Sequence, residues 1–245
     1  MKNTLIFLSL LSTLVIASCS KSGETTNPIA DKIPKTYTQD IRNPSGNSAI
    51  TYNLTYDGNY NLLSMIAVPE TAGKFIFQYP NNNSVIVDTY FGALLGIHEL
   101  ILLNASQFAD STIQIYATHD TTLAKYIYNA NNLLLKSNYY DYHSSGITLT
   151  KTSVYNYDIN GSVITQTDTP GGTITYTYYT KVNNFGLGNS FIPGPKFYLR
   201  SASVDSGGTP VTTMHYYNFD SNDRLIQDSI TTSNTNTIEV KSYTY

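Results

Sequence analysis

The sequence predicts an all-β fold, an antiparallel meander of repeated hairpins that forms a curved sheet, a half-barrel or a split sheet. Three observations carry this expectation. Apolar and polar residues alternate with a period of two along much of the chain, the mark of strands with one buried and one wet face. A short unit with an aromatic residue at its head recurs at near-regular intervals. Tyrosine, with 22 copies in 245 residues, stands where charge is missing, since charged residues make up only 13%, about half the usual share. Abundant Thr, Asn and Ser beside it favour strands joined by tight turns and disfavour helices.

In chain order, Lys2 precedes a short apolar run over residues 5–16, the layout of a secretory signal. The run falls well short of the roughly 20 residues a spanning helix needs. Ile16-Ala17-Ser18-Cys19 closes it, and this branched, small, small, Cys sequence resembles the lipobox of bacterial lipoproteins. The resemblance implies cleavage before Cys19 and a diacylglyceryl group on its sulfur, which would anchor the protein in a membrane. Cys19 is the only cysteine, so no intramolecular disulfide is available and the fold must rest on packing and hydrogen bonds. Residues 1–18 are therefore expected to be a signal peptide, 19–35 a lipidated N-terminus with a Pro- and Gly-containing tether, and 36–245 a single β-rich domain.

From residue 50 the alternation begins. Ile50, Tyr52, Leu54 and Tyr56 point one way, Thr51, Asn53 and Thr55 the other; Ile174, Tyr176 and Tyr178 alternate likewise with Thr173, Thr175 and Thr177. No segment has a convincing helical period. Residues 91–103 suit either a short helix or a buried strand. About a dozen strands are expected, more than one open sheet usually holds without curling or splitting.

The recurring unit is an aromatic residue, then Asp or Asn, a turn, and an aliphatic six places after the aromatic. It reads Tyr56-Asp57…Leu62, Tyr79-Pro80…Val85, Tyr128-Asn129…Leu134, Tyr157-Asp158…Val163 and Phe219-Asp220…Leu225, with a degenerate copy at Leu103-Asn104…Ala109. The first five starts step by 23, 24, 25 and 29 residues, so one supersecondary unit is used repeatedly. Four residues after the aromatic stand Asn83, Asn132, Gly161 and Asp223, types that tolerate a positive φ. Tyr60 at that place predicts a looser turn in the first copy, and the degenerate copy is expected to depart as well.

The stretch Tyr-Asn-Tyr-Asp-Ile-Asn-Gly-Ser-Val-Ile at 155–164 resembles the Tyr-Asp repeat of the β-shells of large bacterial secreted proteins. More closely, residues 37–245 resemble Bacteroidota envelope lipoproteins whose domain is built from such hairpins. Tyr178-Tyr179…Asn183-Asn184 and the Gly/Pro/Lys-rich 186–196 match an insertion of that family. The resemblance implies an outer-membrane lipoprotein, facing the periplasm or the cell surface, with a curved sheet and no assigned chemistry.

The residues offer little for catalysis. His98, His119, His143 and His215 have no metal-site spacing; His215 shares a face with Tyr217 and Phe219 and reads as a satisfied core histidine, while His119 and His143 fall in expected turns. Asp88, Asp110, Asp168 and Asp228 read as solvated strand-face charges, and Asp57, Asp158 and Asp220 as turn formers. Most tyrosines suit a thin sheet core with hydroxyls reaching a partner or water. The least repeat-like segment, 185–197, suggests a ligand surface formed by Phe185, Phe191, Phe197 and Tyr198. No cofactor or metal is expected, and the net charge of −3 gives no reason to expect nucleic acid. The expectation is a non-enzymatic, lipid-anchored binding module for a glycan, peptide or lipid. The alternatives are an assembly component of an envelope complex and, third, a hydrolase.

Overall fold

The computed structural model describes residues 33–143, 145–183, 197–205, 207, 209–233, 235 and 237–245. Sixteen strands follow in order: β1 Thr36–Asn43, β2 Gly46–Tyr56, β3 Leu62–Val68, β4 Lys74–Asn81, β5 Ser84–Phe91, β6 Leu94–Leu103, β7 Ala109–Tyr116 and β8 Thr121–Tyr128; then β9 Leu134–His143, β10 Gly146–Tyr157, β11 Val163–Thr169, β12 Thr173–Val182, β13 Phe197–Asp205, β14 Val211–Phe219, β15 Leu225–Thr232 and β16 Thr237–Thr244. Each pairs antiparallel with the next, and β1 pairs with β16, from Thr36 opposite Thr244 to Arg42 opposite Ile238. The meander is a closed barrel.

Closure takes the expected curving to its end: pairing β1 with β16 leaves no strand edge exposed. The strand count exceeds the expected dozen because the segments between the recurring units are strands too. Residues 91–103 resolve as the end of β5 and the whole of β6, joined through Gly92 at φ 63°. The one helical piece among the described residues is a 3-10 turn, Glu70–Ala72.

The recurring units all turn at one rim, here called the Asx rim, where β1 begins and β16 ends. In five of them the Asp or Asn side chain folds the turn in the same way. Asp158 Oδ1 accepts the backbone N–H of Asn160 at 2.9 Å and of Ser162 at 2.8 Å; Asp57, Asn104, Asn129 and Asp220 make the same pair. The residue three places on takes a positive φ in every case: Tyr60 63°, Gln107 65°, Asn132 61°, Gly161 80° and Asp223 61°. This corrects two expectations. Tyr60 does not loosen the first turn, and the Leu103-Asn104 copy is not degenerate in geometry, because the acceptor at the Asx position dictates the turn. The copy that departs is Tyr79-Pro80. Proline has no N–H to give, and the chain there turns tightly, with Asn81 opposite Ser84 and its Oδ1 accepting from Asn83 N–H.

A second regularity holds the same rim. Five strand pairs joined at the far rim stop pairing early: Ser64–Ile76, Ser111–Lys125, Lys136–Val154, Thr165–Thr175 and Gln227–Ser242 are their last pairs toward the Asx rim. Two residues before the first member of each lies an aliphatic of the recurring unit, and three residues after the second lies a tyrosine. The phenol spans the gap. Tyr79, Tyr128, Tyr157, Tyr178 and Tyr245 donate to the carbonyls of Leu62, Ala109, Leu134, Val163 and Leu225 at 3.0, 2.7, 2.6, 2.8 and 2.9 Å. Each clasp satisfies a carbonyl where the ladder ends.

The interior near this rim is aromatic. Tyr37, Tyr52, Leu54, Leu62, Met65, Phe75, Tyr198, Leu225 and Tyr243 form the buried cluster. Tyr37 stacks between Tyr52 and Tyr243, with centroids 5.9 and 5.5 Å away.

Candidate functional site

Register assigns each side chain a direction. The row Val85–Ile101–Thr112–Ala124–Tyr139–Lys151 crosses six strands on the inward face. It begins in buried aliphatics and ends in a polar sector on β9 to β12. There Ser137 and Ser153, both fully buried, face each other across β9 and β10. Their small side chains leave room for rings: Ser137 Oγ lies 3.3 Å from the Tyr139 hydroxyl and 3.2 Å from that of Tyr155.

Lys151, Asp168, Gln166 and Tyr176 form the chain of contacts at the centre of this sector. Lys151 Nζ stands 3.0 Å from Asp168 Oδ2 and 5.2 Å from the centroid of Tyr139. Gln166 donates its amide to Asp168 Oδ1 at 2.9 Å and accepts the Tyr176 hydroxyl at 2.8 Å. Burial pushes the Asp168 carboxyl upward, but the hydrogen bond from Gln166 and the ammonium of Lys151 outweigh it and hold the pKa below its ordinary value. The Tyr176 phenol is pushed up to about 12 by burial, with Asp168 adding to the effect. Although Lys151 points inward, its side chain is 39% exposed against 14% for Asp168, so solvent reaches this part of the interior. The sector offers ring faces, a fixed carboxylate, an amide and an ammonium, the groups that orient a polar ligand.

A second inward polar group lies across the seam. His215 Nδ1 is 3.2 Å from Asp228, and its ring stacks on Tyr217 at 5.9 Å. Gln39 donates to Glu239 at 2.7 Å, and Lys241 stands 3.6 Å from Glu239. His215 is thus a core histidine with a partner, as its position beside Tyr217 predicts.

The other residues singled out in the sequence scatter. His98 pairs with Asp88 at 2.7 Å on the outer wall, while His119 and His143 are exposed at turns. Asp88 and Asp228 are buried at 9% and 7% exposure and paired with histidines, and Asp168 faces inward; these three are not the solvated face charges expected, because register turns two inward and His98 covers the third. Asp110 is exposed at the bulge of β7. Of the suggested ligand surface, Tyr198 lies in the core at 5% exposure, its ring 4.7 Å from that of Tyr217 and 5.3 Å from that of Phe219. Phe197 is half-buried at the start of β13. Phe185, Phe191 and Cys19 lie outside the described residues. Lys151 and Gln166 were not singled out in the sequence, since nothing in a strand's composition marks one inward polar residue as a neighbour of another. Among the described residues no group of three or more His, Cys, Asp or Glu could hold a metal.

Over part of its wall the barrel's polarity runs opposite to that of an outer-membrane barrel, where apolar residues face out and polar ones in. On β10 to β13 the outward residues include Thr152, Thr165, Thr167, Thr173, Thr175, Thr177, Ser201 and Ser203, while Tyr155, Tyr157, Tyr176 and Tyr178 face in. The structure is similar to that of a porin-like protein from Bacteroides uniformis, with a TM-score of 0.60 and 12% identity over 86% of this chain and 97% of that one. At this identity the likeness shows the fold, a β-barrel found in a Bacteroidota protein. A chain of the TcdB2-TccC3-Cdc42 complex matches at a TM-score of 0.24 and 12% identity over 78% of this chain and 13% of that one, and carries no argument. No protein-family model and no curated protein matches the sequence.

Proposed function

We propose that this chain is a lipid-anchored envelope protein of the Bacteroidota kind, tethered through Cys19, that binds a small polar ligand in its barrel interior and performs no catalysis. The observation that carries this reading is the inward Tyr139–Lys151–Asp168–Gln166–Tyr176 sector, held by its own hydrogen bonds and reached by solvent. Fixed polar groups between aromatic faces suit sugars, whose C–H faces rest on rings while hydroxyls meet carboxylate and amide. A glycan is therefore the first ligand class, ahead of peptide or lipid. A conducting pore is disfavoured by the aromatic filling of the interior toward the Asx rim.

The test is thermal-shift screening of the unlipidated chain against neutral and acidic oligosaccharides, peptides and lipids. A glycan that raises the melting point of the parent chain and not of Gln166→Leu is expected. A melting point unmoved by every ligand overturns the binding reading, and liposome swelling that tracks solute size would replace it with a pore. Intact-mass analysis of the native protein tests the anchor separately.

A further inference from the structure

The outer wall is two-sided. On β11 to β16 and on β1 and β2 it is largely threonine, serine and asparagine, with apolar residues such as Tyr216 and Ile238 scattered singly. On β5 to β10 it carries a continuous cross-strand row, Ile86–Leu100–Ile113–Leu123–Tyr140–Leu149, each residue paired with the next. Above this row lie Ile115, Tyr142 and Ile147. Ile115, Tyr142, Ile147 and Leu149 are 43%, 39%, 58% and 53% exposed. The Asp88–His98 pair borders the stripe on that side. On the other side stand Lys125 and Lys136, neither in an ion pair among the described residues, with exposed Asp110 on the neighbouring strand. A contiguous apolar patch of this kind marks an interaction surface.

Curvature decides what covers it. Six of sixteen strands occupy roughly 135° of a round barrel, whose radius at about 4.8 Å between strands is on the order of 16 Å. A second rigid copy, itself convex, would touch about two or three strands and leave the rest of the stripe wet. A fluid surface conforms. A cylinder of that radius sunk roughly 5–10 Å, the depth of interfacial elements, is wetted over about 90–135°. Tyr142 at one border and lysines at the other suit the headgroup layer, where rings and ammonium groups sit at the boundary. We infer that the β5–β10 wall rests on a bilayer surface, side-on, with the threonine wall facing water. The inference rests on the envelope address proposed above, but it concerns the wall and not the anchor.

The experiment is co-flotation of the chain from Ser20 onward, made without lipid, with vesicles of phosphatidylcholine and phosphatidylglycerol. The parent chain is expected to float. An Ile115→Thr/Ile147→Thr/Leu149→Thr variant should bind at least tenfold less, and Tyr216→Thr/Ile238→Thr on the opposite wall should bind as the parent does. All five substituted residues are exposed, and an unchanged melting point confirms that each variant is folded. A parent chain that stays with the bulk solution, or equal loss in both variants, overturns the inference and leaves the Cys19 anchor standing. Sedimentation showing a dimer that the stripe variant abolishes would give the wall to a second copy instead.

Discussion

Tyr157 donates its hydroxyl to the backbone carbonyl of Leu134 at 2.6 Å, three residues past the point where β9 and β10 cease to pair. The bond joins the head of one recurring unit to the aliphatic of the unit before it. A tyrosine is needed because phenylalanine fills the same space but cannot reach a carbonyl. Tyr157→Phe is therefore expected to cost roughly 0.5–1.5 kcal/mol, the usual net value of one such bond, read as a lower urea midpoint with an unchanged slope.

The opposite outcome is expected at Tyr52. Its ring is fully buried against Tyr37 and Phe75, and its hydroxyl meets no hydrogen-bond partner. An unpaired buried hydroxyl carries a desolvation penalty. Tyr52→Phe should leave stability unchanged or raise it by up to about 1 kcal/mol. The two substitutions remove the same atom, so their difference in urea midpoint isolates what the clasp contributes.

The hairpin array was legible in the sequence because turn chemistry is local. Asp158 and Asn160 to Ser162 are neighbours in the chain, and an Asx acceptor followed by a residue fit for positive φ announces the turn. Closure was not legible, since it depends on Thr36 meeting Thr244 after the twist of sixteen strands has accumulated. The clasps lay between: their tyrosines were visible as unit heads at 79, 128 and 157, but Tyr178 and Tyr245 head no unit, and the acceptors are main-chain atoms that leave no mark on composition. The interior sector was the least legible, because Lys151 and Asp168 become neighbours only once β10 and β11 pair.

Tyr60 tests how far turn chemistry overrides residue type. It sits at φ 63° between Asp57 and Asn61, where the Asx bonds impose a left-handed backbone on a bulky residue. Such a residue costs about 1–2 kcal/mol there relative to glycine. Tyr60→Gly should accordingly stabilise the barrel, by about 1 kcal/mol after the added freedom of the unfolded chain is counted. Thermal melts of the two proteins check it.

Alkali should open the clasps of Tyr79, Tyr157 and Tyr245 together. Burial pushes the phenols of Tyr79, Tyr157 and Tyr245 up to about 12, against about 10 in an unfolded chain. A group whose pKa is raised by folding contributes stability in full below its unfolded value and loses it as pH climbs through the folded one. The urea midpoint should hold steady from neutral pH to just below the unfolded value, then fall steeply toward pH 12. Phenolate absorbance of the folded protein should lag that of the urea-unfolded chain across the same window. Coincident titrations would show that the hydroxyls are free.

Asp168 titrates in the opposite sense. Its carboxyl is held low by Gln166 and Lys151 against the pull of burial, so its contribution is present above the unfolded value near 3.9 and lost as pH falls through the folded one. Removing the cation by Lys151→Met takes away one of these bonds and leaves the carboxylate with less to offset its burial. Because Lys151 is 39% exposed, the loss at neutral pH should be about 1 kcal/mol, the upper end for solvent-reached pairs, and the acid fall-off should begin at a higher pH. Asp168→Asn in the same background removes the charge that had lost its partner, so the double variant should recover part of the stability and show no acid shift. A double variant weaker than the sum of the singles would mean that Gln166 and Tyr176 depend on the carboxylate for their own positions, and that the sector holds its shape as one network.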